Sequence, residues 1–171
     1  GDAERAHAMA LLLLPFVRDM ISGPTPLHLI EKPSPGSGVT LCVMAIASVA
    51  LGRPIAAMTE GSNEYEWRKR ITAKVMDGPT IVLIDNLRDR LDSAALSSAI
   101  TSTLWEDRIL KLSEVTRLPV RCAWVATGNN PGVSTEIARR TVRIRLDPKT
   151  DRPWERTKFK HPDLMGWAFE N

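Results

Sequence analysis

Two apolar runs constrain the fold of this chain more than any other feature of its sequence. Residues 80–84 and 122–126 are apolar except for Thr80, and neither run alternates with polar side chains. Strands of this kind are buried on both faces, as central strands of a parallel sheet are. Helical segments separate the runs. We therefore predict an α/β fold, a three-layer sandwich with a mainly parallel central sheet between helices.

Periodicity and breaker residues divide the rest of the chain into helices and strands. We predict helices over residues 2–21, 38–51, 64–76, 94–104 and 134–139, and further strands over 27–30, 55–58 and 141–146. Asp2 is expected to cap the first helix, which Pro15 would kink or divide. Residues 108–120 alternate roughly between apolar and polar side chains and predict a hairpin or an irregular insert. A last helix opens near His161.

Length and composition indicate one domain with its own core. At 171 residues and a net charge of +3, the chain is mildly basic, which permits a polyanionic partner without requiring one. Its two cysteines form no disulfide framework, so we expect a reducing, cytoplasmic setting. The apolar run 8–17 is too short to span a bilayer, so no membrane contact is expected. We divide the chain into a helical segment packing on the core (1–26), the core (27–147), and a tail that starts a helix (148–171).

A loop of small residues joins the first predicted strand to an apolar helix. It reads Pro-Ser-Pro-Gly-Ser-Gly-Val-Thr over residues 33–40. The pattern G-x-x-x-x-G-K-[ST] holds phosphate on backbone N–H groups at a helix N-terminus. Here Pro33 replaces the first glycine and Val39 the lysine, whereas Thr40 keeps the hydroxyl that binds Mg²⁺. Taken alone, the loop also fits an ordinary strand-to-helix turn that binds nothing.

Polar residues follow both buried runs. Asp85 and Asn86 come directly after residues 80–84, and Thr-Gly-Asn follows the second run, ending at Asn129. Ligands of open parallel sheets bind at the carboxyl ends of the strands. We therefore expect the loop, Asp85 and Asn129 to meet at one edge of the sheet.

In order and spacing, these motifs resemble the AAA+ division of P-loop ATPases. The narrower likeness is to the helicase-like ATPase domains of phage, plasmid and primase-associated proteins, with a degenerate Walker A loop. It is carried by Trp-Arg-Lys-Arg-Ile at 67–71, Leu-Ile-Asp-Asn at 83–86 and Thr-Gly-Asn-Asn at 127–130, and it covers about residues 27–167. The resemblance implies ATP and Mg²⁺ as ligands, DNA as a partner, and a ring of identical subunits.

The resemblance also assigns roles to individual residues. The nucleotide phosphates would be bound by the loop residues Pro35, Gly36, Ser37, Gly38, Val39 and Thr40. Thr40 and Asp85 would hold Mg²⁺, and Asn129 would be the polar sensor near the γ-phosphate. Asn86 stands where most relatives carry the glutamate that polarises the attacking water. Arg140, or less well Arg139, would be an arginine finger acting on a neighbouring subunit.

Two departures from the family pattern argue against efficient turnover. Val39 removes the phosphate-binding lysine, and the amide of Asn86 can orient a water but cannot take its proton. We therefore predict a nucleotide-binding domain with weak or absent hydrolysis, which lacks the helical lid of its relatives. The alternative is a non-catalytic nucleic-acid-binding or assembly module, with Arg143 and Arg145 on a solvated strand face. A small-molecule kinase is less favoured, because such enzymes need the loop lysine.

Overall fold

A five-stranded parallel sheet lies at the centre of the computed structural model, which describes residues 1–108 and 115–170. The strands are β1 (Leu27–Lys32), β2 (Ala57–Met58), β3 (Ile81–Leu87), β4 (Leu104–Arg108), β5 (Val115–Pro119), β6 (Ala123–Asn129) and β7 (Thr141–Arg145). The central sheet has the order β2-β3-β6-β1-β7, and all of its pairings are parallel. β4 and β5 form a separate antiparallel hairpin.

Helices cover both faces of this sheet. They are α1 (Asp2–Val17), α2 (Val39–Leu51), α3 (Glu64–Met76), α4 (Ala94–Ala99), α5 (Thr135–Ala138) and α6 (Leu164–Glu170), with 3-10 turns at Arg18–Met20 and Pro153–Glu155. This arrangement confirms the predicted α/β fold with a mainly parallel central sheet between helices. Within the described residues, no helix has the length and apolar character needed to cross a membrane.

The two apolar runs are buried on both faces, as predicted. In β3, Val82 and Ile84 pack in a cluster that includes residues of α3 and α4, whereas Ile81 and Leu83 pack in a second cluster with residues of α1 and α2. Successive strand side chains point to opposite faces of a sheet, so a strand covered on both sides must be apolar throughout. This explains the absence of alternation in residues 80–84.

Two helix predictions need correction. Gly1, not Asp2, is the N-cap of α1; the helix runs through Pro15 and ends at Val17, before a 3-10 turn. The helix predicted over 94–104 ends at Ala99, where the Thr101 hydroxyl donates to the carbonyls of Ser97 and Ser98. Such bonds compete with helix continuation.

The predicted hairpin begins earlier than expected. β4 starts at Leu104, and Trp105 lies opposite Leu118 in β5. The Trp105 indole N–H donates to the Thr72 hydroxyl at 2.8 Å, which ties the hairpin to α3. Residues 109–114 of the prediction lie outside the described residues.

Candidate functional site

Asp85 is the residue on which the candidate site converges. Its Oδ1 accepts hydrogen bonds from the hydroxyls of Thr40, at 2.9 Å, and Thr127, at 2.6 Å. The Thr127 hydroxyl oxygen in turn accepts from the backbone N–H of Asn86 at 2.8 Å. These contacts link the start of α2 to β3 and β6. The predicted meeting of the loop hydroxyl and the strand carboxylate is therefore present in the structure.

A bulge in β3 presents this carboxylate. β3 continues to Leu87, so Asp85 and Asn86 lie within the strand rather than after it, and the register with β6 shifts between Ile84 and Leu87. Asn86 has a φ of 60°, a left-handed conformation that asparagine tolerates better than most residues. The half-buried Asp85 and the exposed Asn86 are thus both lifted out of the regular ladder at the carboxyl edge of the sheet.

Asn129 holds the beginning of the loop. Oriented to satisfy its neighbours, its amide donates to the carbonyls of Lys32 at 2.8 Å and Pro33 at 3.1 Å. The backbone N–H of Asn130 also donates to the Lys32 carbonyl at 3.1 Å. The loop, Asp85 and Asn129 therefore share one edge of the parallel sheet, and Asn129 contacts the loop backbone directly.

The loop turns tightly at its two glycines and leaves the N-terminus of α2 without a side-chain cap. Gly36 and Gly38 have φ values of 73° and 82°, which glycine adopts without strain. The Ser37 hydroxyl closes the turn by donating to the Ser34 carbonyl at 2.7 Å. Gly38 is the N-cap of α2, and no side chain of the described residues caps it, so the first N–H groups of α2 are left for another acceptor. Pro35 has no N–H and can contribute only shape.

Val39 is part of the hydrophobic core. Its side chain is 1% exposed and packs in the cluster that contains Ile30, Val43 and Leu83. At the position where the family pattern has lysine, this chain therefore offers a phosphate only its backbone N–H.

Trp154 packs on the other side of the loop. A Cβ added to Gly36 would lie 3.2 Å from the Cβ of Trp154 and 3.4 Å from its Cε3. The C-terminal tail therefore reaches the loop, although the Trp154 side chain remains largely exposed. Nothing in the sequence indicates this long-range contact, because Trp154 stands in a polar stretch without periodicity.

A cavity of about 940 Å³ lies beside Asp85 and Asn86, at the carboxyl ends of β2 and β3. Charged side chains line much of it: the carboxylates of Glu60, Glu64, Asp89 and Asp92, and the guanidinium groups of Arg70, Arg88 and Arg90. No motif in the sequence predicts a catalytic or binding role for these residues, although Arg70 belongs to the Trp-Arg-Lys-Arg-Ile stretch at 67–71. Their placement follows from the pairing of β2 with β3.

The candidate arginine fingers lie at the opposite edge of the sheet. The Arg140 carbonyl accepts from the Leu27 N–H at the start of β1, whereas the loop follows the end of that strand. Arg140 is paired with Glu136 at 2.9 Å and Arg139 with the same carboxylate at 3.7 Å. The hydrogen bond from Arg140 and the charge of Arg139 lower the pKa of Glu136. The structure therefore does not bring either arginine to Asp85.

The arginines of the last strand, β7, contact other residues as well as solvent. Arg143 and Arg145 lie 3.6 and 3.7 Å from the carboxylate of Glu31, which is buried at the end of β1. Arg145 also donates to the Asn130 side chain at 2.9 Å. These arginines therefore contact the end of the sheet next to the loop instead of facing solvent alone.

Mg²⁺ fits the site only if a bound phosphate and water supply most of its ligands. Residues 1–108 and 115–170 contain no group of three or more His, Cys, Asp or Glu side chains that could hold a metal. Thr40 and Asp85 provide one hydroxyl and one carboxylate, already 2.9 Å apart. Mg²⁺ typically takes one or two protein oxygens and fills its octahedron with water and phosphate oxygens, which suits this pair.

Comparisons with known proteins give matches among solved structures alone. No protein-family model and no curated protein matches the chain. Several solved structures do match. One is the JCV helicase, crystallised with an N-(4-(2-(thiazolo[5,4-c]pyridin-2-yl)phenoxy)phenyl)acetamide ligand, at 15% sequence identity and a TM-score of 0.43. The match covers 86% of this chain and 45% of the helicase chain, so the chain spans less than half the length of that protein.

Proposed function

We propose that the edge formed by residues 35–40, Asp85 and Asn129 binds the phosphates of ATP together with Mg²⁺, with weak hydrolysis. The observation that carries this proposal is the 2.9 Å hydrogen bond between Thr40 and Asp85 at the uncapped N-terminus of α2. A hydroxyl and a carboxylate so placed are the two protein ligands that a phosphate-bound Mg²⁺ needs. With the family resemblance, this supports a domain acting in DNA replication of phage or mobile elements, within the cytoplasm.

Each residue of the edge has a part in this proposal. The N–H groups from Gly36 to Thr40 bind phosphate oxygens, and the partial charge of the α2 N-terminus adds to the attraction. Asn129 holds the loop in place by donating to the carbonyls of Lys32 and Pro33; to act as the polar sensor of the γ-phosphate, its amide would have to exchange one of these hydrogen bonds for a phosphate oxygen. When bound, Mg²⁺ neutralises charge on the phosphate oxygens. Thr127 orients Asp85 by donating to its Oδ1 at 2.6 Å.

Hydrolysis is weak because the loop has no lysine and because neither Arg139 nor Arg140 reaches the site of its own subunit. Without a lysine at Val39, a charge-assisted hydrogen bond of about 1.5–3 kcal/mol is lost. The loss of one stabilising group typically lowers a rate by about 10²–10³. Arg140 lies at the far edge of the sheet, so as an arginine finger it acts only on a nucleotide bound by another subunit of a ring. To act in that role, Arg140 has to break its ion pair with Glu136.

A non-catalytic nucleic-acid-binding or assembly module is the second candidate function. It is favoured by the contact of Trp154 with Gly36, which places the tail on the loop where a nucleotide would bind. In this case the chain would bind DNA in a salt-dependent way, and ATP would have no effect on that binding.

The deciding experiment is a titration with a fluorescent ATP analogue at several Mg²⁺ concentrations. We expect Mg²⁺-dependent binding that Asp85→Asn weakens at least about tenfold, since the substitution removes the negative charge that faces the ion. Asp77→Asn, an exposed carboxylate at the end of α3, is the matched control and should bind as the wild type does. Absence of Mg²⁺-dependent binding by the wild type contradicts the proposal, and nucleotide-independent DNA binding then favours the second candidate.

A further inference from the structure

The proposed site needs a base that its expected position does not provide. Asn86 occupies the bulge after Asp85, and an amide cannot accept a proton from water. Asp85 accepts two hydroxyl hydrogen bonds on Oδ1. In the proposed site it is a ligand of Mg²⁺, together with Thr40, and therefore not the base. A base for the attacking water has to come from another element that reaches this edge.

The turn that follows β2 reaches this edge of the sheet. β2 pairs in parallel with β3, with Ala57 opposite Leu83 and Met58 opposite Ile84. Two residues after the end of β2, the Glu60 side chain contacts the backbone of Arg88, just beyond the end of β3. Glu60 is half-buried and lines the same cavity of about 940 Å³ as Asp85 and Asn86.

Two contacts hold Glu60 in this position, one made by its own side chain and one made by the next residue. Its Oε1 accepts a hydrogen bond from the backbone N–H of Arg88 at 3.3 Å. The following residue, Gly61, lies so close to α3 that an added Cβ would come within 2.6 Å of the Trp67 backbone nitrogen. The turn is therefore packed tightly against the helix, and the carboxylate projects from a fixed backbone.

The other carboxylates of the cavity are occupied or exposed. Glu64 accepts hydrogen bonds from the backbone N–H groups of Ala94, at 3.2 Å, and Ala95, at 3.0 Å. Asp92 is 4.0 Å from Arg90, and the Asp89 side chain is exposed. Within residues 1–108 and 115–170, no salt bridge engages Glu60. Apart from Asp85, Glu60 is thus the half-buried carboxylate of this cavity that forms no ion pair within these residues and does not bind a helix N-terminus; its hydrogen bond comes from the Arg88 backbone.

We infer that Glu60 is the general base for hydrolysis at this site, in place of Asn86; the inference rests on the proposed function. The Glu60 carboxylate takes a proton from a water as an O–H bond breaks. The water oxygen bonds to the γ-phosphorus, and the bond from that phosphorus to the bridging oxygen breaks, so that its electron pair leaves with ADP. Glu60 then releases the proton to solvent. Asn86 orients the water through its amide.

The test compares Glu60→Gln with Asp89→Asn, a neutralised carboxylate in the lining of the same cavity. Single-turnover hydrolysis of saturating ATP is measured together with the affinity for the fluorescent analogue. We expect Glu60→Gln to lose about 10²–10⁴-fold in rate, the usual contribution of a general base, while its affinity stays within about threefold of the wild type. Asp89→Asn should keep the wild-type rate and the wild-type affinity. Glu60→Asp, which retains a carboxylate, should recover part of the rate.

A pH profile gives a second measurement. The rate of the wild type and the residual rate of Glu60→Gln should depend differently on pH, because only the wild type carries the general base. If Glu60→Gln hydrolyses ATP as fast as the wild type, or if the wild type binds ATP without hydrolysing it, the role of Glu60 is wrong and the proposed binding site stands. If the wild type does not bind ATP, the proposed function fails and the inference fails with it.

Discussion

Val39 shows how one residue changes the chemistry of a whole loop. A valine at the start of α2 packs with Ile30 and Leu83 under the sheet, and its burial stabilises the loop against the core. A lysine there would have to leave this cluster to reach a phosphate. The same position thus serves either core packing or phosphate binding, and this chain uses it for packing.

Val39→Lys tests this conflict. We expect the variant to lose about 2–4 kcal/mol in free energy of unfolding, because an ammonium group replaces an apolar side chain that is 1% exposed. Mg²⁺-ATP should then raise the melting temperature of Val39→Lys more than that of the wild type, since the new charge binds phosphate and ligand binding stabilises the folded state. Urea denaturation and thermal melts measure both effects.

Val39→Met is the control, because it changes size without adding a charge and should cost less than the lysine variant. Equal losses in the two variants would show that position 39 is not the buried site described here. If ATP stabilises neither the wild type nor Val39→Lys, the loop does not bind nucleotide.

At the scale of elements, the site residues lie where the backbone departs from regular strand geometry at the ends of two strands. The bulge of β3 presents Asp85 and Asn86, and the turn after β2 carries Glu60. Bulges commonly re-aim side chains next to functional sites. The turn depends on Gly61, since any larger residue meets the first turn of α3.

Gly61→Ala tests the dependence of the site on this turn. An added methyl group 2.6 Å from the Trp67 nitrogen forces the turn away from α3, which we expect to cost about 1–3 kcal/mol in free energy of unfolding. Hydrolysis should slow as Glu60 moves, with ATP binding retained. Gly23→Ala is the control: apart from its chain neighbours, no atom of the described residues lies within 4 Å of its Cβ position, so a change within about 0.5 kcal/mol is expected. Equal unfolding midpoints in urea for the two variants would contradict the close packing of this turn.

At the scale of the whole molecule, burial of a titratable group couples stability to pH. His28 lies in the middle of the sheet on β1 and is 3% exposed. Burial, aided by the nearby charge of His7, lowers the pKa of His28 from 6.5 to about 4. The unfolded chain therefore binds more protons than the folded chain between these pH values. The stability that depends on neutral His28 is complete above pH 6.5 and is lost as the pH falls towards 4.

We expect the wild type to lose about 3 kcal/mol of stability through this group between pH 6.5 and 4, since each pKa unit corresponds to about 1.4 kcal/mol. His28→Met should show a loss smaller by that amount, measured by urea denaturation across this range. His161→Met, near the C-terminus, should keep the wild-type pH dependence. A wild-type slope in His28→Met would show that His28 is not buried as a neutral group.

Local patterns determined the elements and the fold class. The runs at 80–84 and 122–126 predicted central parallel strands, since burial on both faces leaves no place for polar side chains. The helix predicted over 64–76 has the observed bounds, because Asn63 caps it by accepting from the Glu66 N–H at 2.9 Å. The loop at 33–40 was recognisable because glycine spacing and a following apolar helix are both local.

Only the tertiary structure decided how these parts act together. It placed Glu60 beside the bulge, Trp154 on Gly36, and Arg140 at the edge away from Asp85. It also placed the Val39 side chain in the core, where the family pattern alone would put a phosphate ligand. Each of these follows from contacts between residues distant in sequence. A single sequence carries periodicity and local hydrogen-bonding preferences, whereas strand order and packing across the sheet depend on which distant surfaces bury each other.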